Sequence, residues 1–129
     1  MPNKQILVVD DDEIILMTIE RILSDQYTVI CASSGQQAID LYEEHRPDII
    51  LCDYLMPEMT GFQMMDILHE RYGRNIFVIF MTGNEQDETE LEVYKHGALE
   101  FIRKPIKAAE LQKYIASAIE RVNSFKTFQ

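Results

Sequence analysis

Ile6-Leu7-Val8-Val9-Asp10-Asp11 forms the chain's first apolar run and closes it on two acids. Ile49-Ile50-Leu51-Cys52-Asp53 repeats the pattern, an apolar run closed by one acid. Short, nearly continuous apolar runs mark strands covered on both faces, as in a parallel sheet. If both runs lie parallel in one sheet, their carboxyl ends share an edge. In open α/β sheets ligands bind at that edge, where strand order reverses. Three carboxylates gathered there repel one another unless a hard cation or a cationic side chain stands among them. A divalent ion with oxygen ligands, Mg2+ first, suits such a set.

Outward from these runs, strand and helix patterns alternate along the whole chain. Strands are predicted over 5–9, 27–32, 48–52, 76–81 and 99–102, and helices over 12–24, 35–45, 61–72, 86–96 and 107–123. Helical spacing shows in Ala38, Ile39, Leu41 and Tyr42, in Phe62, Met65 and Leu68, and in Leu111, Ile115, Ala118 and Ile119. Ser34 and Thr60, each with Gln three residues on, have capping-box spacing and should start helices. Pro47 stands where a helix stops. Gly73 and Gly97 follow helix ends, where a left-handed residue is common. Such a (βα)5 alternation with right-handed crossovers gives an α/β three-layer sandwich around a parallel five-stranded sheet. The flavodoxin-like order 2-1-3-4-5 is expected, with its switch point between strands 1 and 3. Those are the strands that end in Asp10-Asp11 and Asp53.

The 129 residues suffice for one domain, taken as 1–123, with 124–129 as a tail, read either as a fraying helix end or as the start of a linker. The formal net charge of −10 argues against a nucleic-acid-binding surface and against anionic membranes. No apolar run approaches the roughly 20 residues of a membrane span. Met1-Pro2-Asn3-Lys4 leads into a strand without a signal-peptide pattern, so a cytoplasmic location is expected. Cys31 and Cys52 fall in strands with another strand between them, about 10 Å apart. That is too far for a disulfide, and both read as small core hydrophobes.

Two further features belong to the acid rim. The fourth strand ends in Thr82-Gly83, and the fifth leads into Lys104-Pro105. Strands 1, 3, 4 and 5 thus bring a carboxylate pair, a carboxylate, a hydroxyl and an ammonium to one edge. That set suits phosphoryl transfer. A carboxylate can be the nucleophile and form an acyl phosphate. A metal and a lysine can stabilise charge on the phosphoryl oxygens, and a hydroxyl can donate to one of them.

The chain resembles the receiver domain of two-component response regulators over essentially its whole length. The resemblance is carried by Val8-Val9-Asp10-Asp11, by Asp53 with Met56-Pro57 and Gly61, by Thr82-Gly83 and by Lys104-Pro105. It implies a single-domain signalling switch of the chemotaxis or phosphorelay type, with no separate substrate turnover. Asp53 would accept a phosphoryl group from a sensor histidine kinase or a phosphotransfer protein. Asp11 would bind Mg2+ directly, Asp10 would assist, and Asp53 and the backbone carbonyl of Leu55 would complete the protein's ligands. Thr82 and Lys104 would contact the phosphoryl group. The family's switch aromatic maps to Phe101, where tyrosine is common, so the outward state lacks a hydroxyl anchor. The Lys104–Pro105 bond is expected to be cis. Leu55 and Asn84 occupy positions that tune phosphoryl lifetime, and an apolar Leu55 cannot hold an attacking water. Output would run through the predicted fourth helix, fifth strand and fifth helix toward a protein partner or a second copy. Tyr94, Lys95, Arg103, Lys107 and Tyr114 are its candidate exposed residues.

Other features read more plainly. Asp12 and Glu13 are complements to a helix dipole. His45, His69 and His96 lie near helix ends without metal-site spacing, and the scattered methionines are mostly core filler. In the first helix, Ile15, Ile19, Ile22 and Leu23 would form the core face. Ile14, Leu16 and Met17 would then be an exposed apolar patch for a helical partner, unless the helix rotates to bury some of them. Asp10-Asp11-Asp12 also satisfies the strand-1 pattern of haloacid-dehalogenase-type phosphatases, with Asp10 as nucleophile. Those enzymes need a late acidic pair, and none follows Lys104. A flavin carrier would meet three acids where the flavin phosphate should sit, and is discarded.

Overall fold

The computed structural model describes residues 4–83 and 97–127. The helix predicted over 86–96 lies outside the described residues, and with it Asn84, Tyr94, Lys95 and His96. The apolar runs become β1 (Gln5–Val9), β2 (Thr28–Ala32), β3 (Ile49–Asp53), β4 (Val78–Thr82) and β5 (Glu100–Arg103). They form one parallel sheet in the order β2-β1-β3-β4-β5, as the sequence pattern predicts. The described helices are α1 (Glu13–Leu23), α2 (Gly35–His45), α3 (Gly61–Tyr72) and α4 (Ala108–Thr127).

Successive side chains of a strand point to opposite faces, and that period sorts the core into two layers. Leu7, Val9, Ile50, Cys52, Val78 and Phe80 pack with Ala38, Ile39 and Tyr42 of α2 and with Phe62, Met65 and Leu68 of α3. Ile6, Val8, Ile49, Leu51, Ile79 and Met81 pack with Leu16, Ile19 and Leu23 of α1 and with Leu111, Ile115 and Ala118 of α4. Every residue of β3 and β4 is buried, as central strands covered on both faces must be.

Helix starts follow local chemistry. Asp12 caps α1, its Oδ1 accepting from the Ile14 amide at 2.9 Å. Thr60 and Gln63 form a reciprocal capping box on α3. At α2 only half the box forms: Ser34 Oγ accepts from the Gln37 amide, while the Gln37 side chain accepts from the Ser33 amide instead. Gly73 and Gly97 have positive φ, as expected. The end of α2 differs. Arg46 itself is left-handed, and its guanidinium lies over the Tyr42 and Tyr72 rings, at 5.5 and 4.2 Å from their centroids.

Three expectations need correction. Leu16 is buried, and with Ile19 and Leu23 it makes the core face of α1, while Ile15 and Ile22 sit at its margins. The exposed apolar pair of α1 is therefore Ile14 and Met17, without Leu16. Cys31 is half-exposed because β2 is an edge strand, and its thiol faces Glu20 Oε2 at 3.6 Å. The last helix does not stop at 123 but continues to Thr127.

Candidate functional site

Register brings the acids together. Val9 stands opposite Cys52, so Asp10 and Asp53 extend adjacent strands at the sheet's carboxyl edge. The Asp10 amide donates to the Ala32 carbonyl at 3.1 Å, which carries the β1–β2 ladder one residue further and fixes Asp10 in place. One oxygen from each of Asp10, Asp11 and Asp53 lies within 4.8 Å of the others. Asp10 is fully buried and Asp53 is 6% exposed, whereas Asp11 faces solvent.

Lys104 reaches this cluster from the other side. Its amide donates to the Thr82 carbonyl at 2.8 Å, which holds the segment after β5 beside the end of β4. The Lys104–Pro105 bond is cis. The ammonium donates to Asp10 Oδ2 at 3.0 Å and pairs with Asp53 Oδ1 at 3.3 Å. Asp10's other oxygen accepts from the Asp12 amide at 2.9 Å. Both Asp10 oxygens are thus engaged. Thr82 closes β4, buried, in register with Arg103. Phe101 is half-buried in β5 opposite Phe80, and the Arg103 guanidinium lies 5.3 Å from its ring centroid. The Leu55 side chain, two residues past Asp53, is exposed.

Charge in the cluster is unbalanced. Burial and then the neighbouring Asp10 charge push the Asp53 carboxyl up to about 6, although Lys104 pulls the other way. Burial acts to lower the Lys104 ammonium, but its hydrogen bond to Asp10 and the charges of Asp53 and Asp10 outweigh this and raise it. Three hard oxygen donors with surplus negative charge, two buried and one open to solvent, fit a Mg2+ ion that keeps some of its waters.

Sequence reasoning missed a contact at Asp53. Cys52, read as a core hydrophobe, directs its thiol to the Asp53 carbonyl at 3.2 Å. Only its place beside Asp53 hinted at this. Of the expected surface residues, Arg103, Lys107 and Tyr114 are exposed.

This fold and rim define a phosphoacceptor signalling module. The chain belongs to the response regulator receiver domain family, whose profile matches residues 6–116. Transcriptional regulatory protein YvrH of Bacillus subtilis is 30% identical over 128 residues, which is 98% of this chain and 53% of that protein. A probable cyclic di-GMP phosphodiesterase of Vibrio cholerae is 29% identical over 120 residues, 92% of this chain and 27% of that protein. A response regulator receiver domain protein from Clostridium thermocellum has a crystal structure similar at TM-score 0.86 and 30% identity, covering 95% of this chain and 98% of that one. The chain spans about half the length of the curated relatives it matches, or less. Receiver domains of two-component systems act as phosphoacceptors, and nothing in the family match favours the phosphatase alternative. Among the described residues, no helix is long and apolar enough to cross a membrane.

Proposed function

We propose that Asp53 is the residue phosphorylated, with a sensor histidine kinase or a phosphotransfer protein as donor. The observation that carries this is the convergence of Asp53 with Asp10, Asp11 and Lys104 at the switch-point edge. A carboxyl titrating near 6 is mostly ionised at neutral pH and so available as a nucleophile. An Asp53 oxygen attacks the phosphorus of a phosphohistidine. The new O–P bond forms as the P–N bond breaks, the electron pair leaves with the imidazole nitrogen, and an acyl phosphate results. The Lys104 ammonium, released from the Asp53 carboxylate, turns to a phosphoryl oxygen, and the Thr82 hydroxyl donates to another. Mg2+, held by Asp10, Asp11, Asp53 and the Leu55 carbonyl, would supply further charge neutralisation at the phosphoryl oxygens. The domain assists its own phosphorylation and dephosphorylation and turns over no separate substrate.

Output follows from a two-state element biased by local charge. Inward movement of Thr82 opens space that Phe101 fills, changing the face made by the helix predicted over 86–96, β5 and α4. A protein partner or a second copy reads that face, and neither nucleic acid nor membrane is its target.

Incubation with acetyl phosphate and Mg2+, borohydride trapping and peptide mass spectrometry test the reading. A single adduct on Asp53, lost in Asp53→Asn, is expected. An adduct on Asp10, or one that persists in Asp53→Asn, refutes it.

A further inference from the structure

The structure assigns to Gly61 the task of positioning the phosphoacceptor's backbone. This inference rests on Asp53 being that phosphoacceptor. Gly61 is the first residue of α3, and its amide donates to the Tyr54 carbonyl at 2.9 Å. That bond closes the loop after β3 back onto the strand's end. A Cβ at position 61 would stand 2.7 Å from the Asp53 carbonyl oxygen and 2.7 Å from Phe80 Cε1. Real Cβ atoms do not approach that closely, and neither wall yields easily.

The two walls differ in kind. Phe80 is a fully buried core ring, edge-on to Phe62 at 5.0 Å. The Asp53 carbonyl belongs to the residue that would be phosphorylated. It is also contacted by the Cys52 thiol, and the next amide, Tyr54 N–H, is bonded to the Met81 carbonyl at 2.9 Å. Any added atom at 61 therefore pushes either on the core or on Asp53 itself. The other tight glycine is a useful contrast. A Cβ at Gly35 would meet Met59, with Sδ at 2.6 Å and Cγ at 3.0 Å on a flexible side chain that can turn away and Cβ at 3.2 Å. Gly61 has no such relief. The requirement at 61 is close approach, with no unusual φ involved.

A carboxylate displaced by a fraction of an ångström loses its alignment with Lys104 and with an incoming phosphorus. Small misplacements of a reacting group lower rates strongly. Gly61→Ala should therefore slow modification by acetyl phosphate about tenfold or more per folded molecule, with folding checked by near-ultraviolet circular dichroism.

A double-mutant cycle separates the two walls. Phe80→Leu removes the ring wall and leaves the carbonyl wall, so it also provides a background in which position 61 can carry alanine and still fold. If Gly61 positions Asp53, alanine slows modification by a similar factor in the Phe80→Leu background. If alanine costs nothing in that background, or if Gly61→Ala itself reacts at the wild-type rate, the assignment is overturned and Gly61 is only a packing residue. Failure of the parent reading looks different: the wild-type protein itself would then carry no adduct on Asp53.

Discussion

Both ends of the sheet carry an acid–lysine cluster, and the two are built oppositely. At the carboxyl end, Asp10, Asp11 and Asp53 share one lysine, Lys104. At the amino end, one acid, Asp48, meets two lysines: Lys126 at 3.3 Å and Lys4 at 4.0 Å. Asp48 Oδ2 also accepts from the Gln5 amide at 2.8 Å, so it ties β1 to the turn before β3. The first cluster is mostly buried and has surplus negative charge, while the second is partly solvated and has none. A satisfied cluster holds parts together. A frustrated one is poised for a cation that relieves it, and surplus like charge is the mark that separates them.

Neutralising one acid at each end gives the sharpest test of this contrast. Because the Asp53 carboxyl is raised from 3.8 to about 6, its protonated form is favoured in the folded state. Its favourable contribution is complete below pH 3.8 and is lost as pH rises through about 6. At pH 7.5 without divalent cation, Asp53→Asn should thus be more stable than wild type by roughly 1–3 kcal/mol. Near pH 3.5 the gap should close. Asp48→Asn should go the other way and lose about 1 kcal/mol, since it removes the charge facing both lysines. Urea titrations across pH 3.5–8 measure both. A destabilised Asp53→Asn at pH 7.5 would break the contrast.

Mg2+ sharpens the comparison at the next scale. At a free concentration ten times its dissociation constant, an ion bound only by the folded protein stabilises by about 1.4 kcal/mol. Wild type should show that rise in Tm, and Asp11→Ala should lose it. Asp48→Asn should keep it in full, because the amino-end cluster has no surplus charge for a cation to relieve. An unchanged response in Asp11→Ala would place the ion elsewhere.

How far such features can be read from sequence depends on whether their causes are local. The acids at strand ends, the Thr60 cap and the strand order were legible, because each follows from runs, spacing and turn chemistry. The phase of α1 was not. Ile15–Ile19–Ile22 and Leu16–Ile19–Leu23 are both good helical stripes, and only docking on the sheet selects the second. Half-exposure of Cys31 was implicit in the predicted order, which already put its strand at the edge. The left-handed Arg46 at the end of α2 was not legible either, because its contact with Tyr72 comes from a different helix. The proximity of Gly61 to the Asp53 carbonyl is a distance between elements, and no residue pattern states it.

The end of α4 is the hardest case, and it carries the smallest effect. Ser124-Phe125-Lys126-Thr127 shows no useful periodicity, so the residues from 124 read either as a fraying helix end or as the start of a linker. In the fold, Phe125 lies edge-on to Phe77 at 5.4 Å, and Lys126 reaches Asp48. Both partners are far away in sequence, one in the segment before β4 and one before β3. These contacts make the last helical turn part of the amino-end cluster. The two should not weigh equally. An aromatic pair of this kind contributes about 0.5–1.5 kcal/mol beyond its buried area. Phe125 is 38% exposed, so Phe125→Ala should cost about 1 kcal/mol. The Lys126 side chain is 51% exposed and its charge is screened, so Lys126→Ala should cost no more than about 0.5 kcal/mol. Neither should alter modification of Asp53 by acetyl phosphate, since both act at the opposite end of the sheet. Denaturant midpoints of the two variants give the ranking. If Lys126→Ala costs more than Phe125→Ala, electrostatics rather than packing fastens this helix, and the amino-end cluster is less solvated than its exposure indicates.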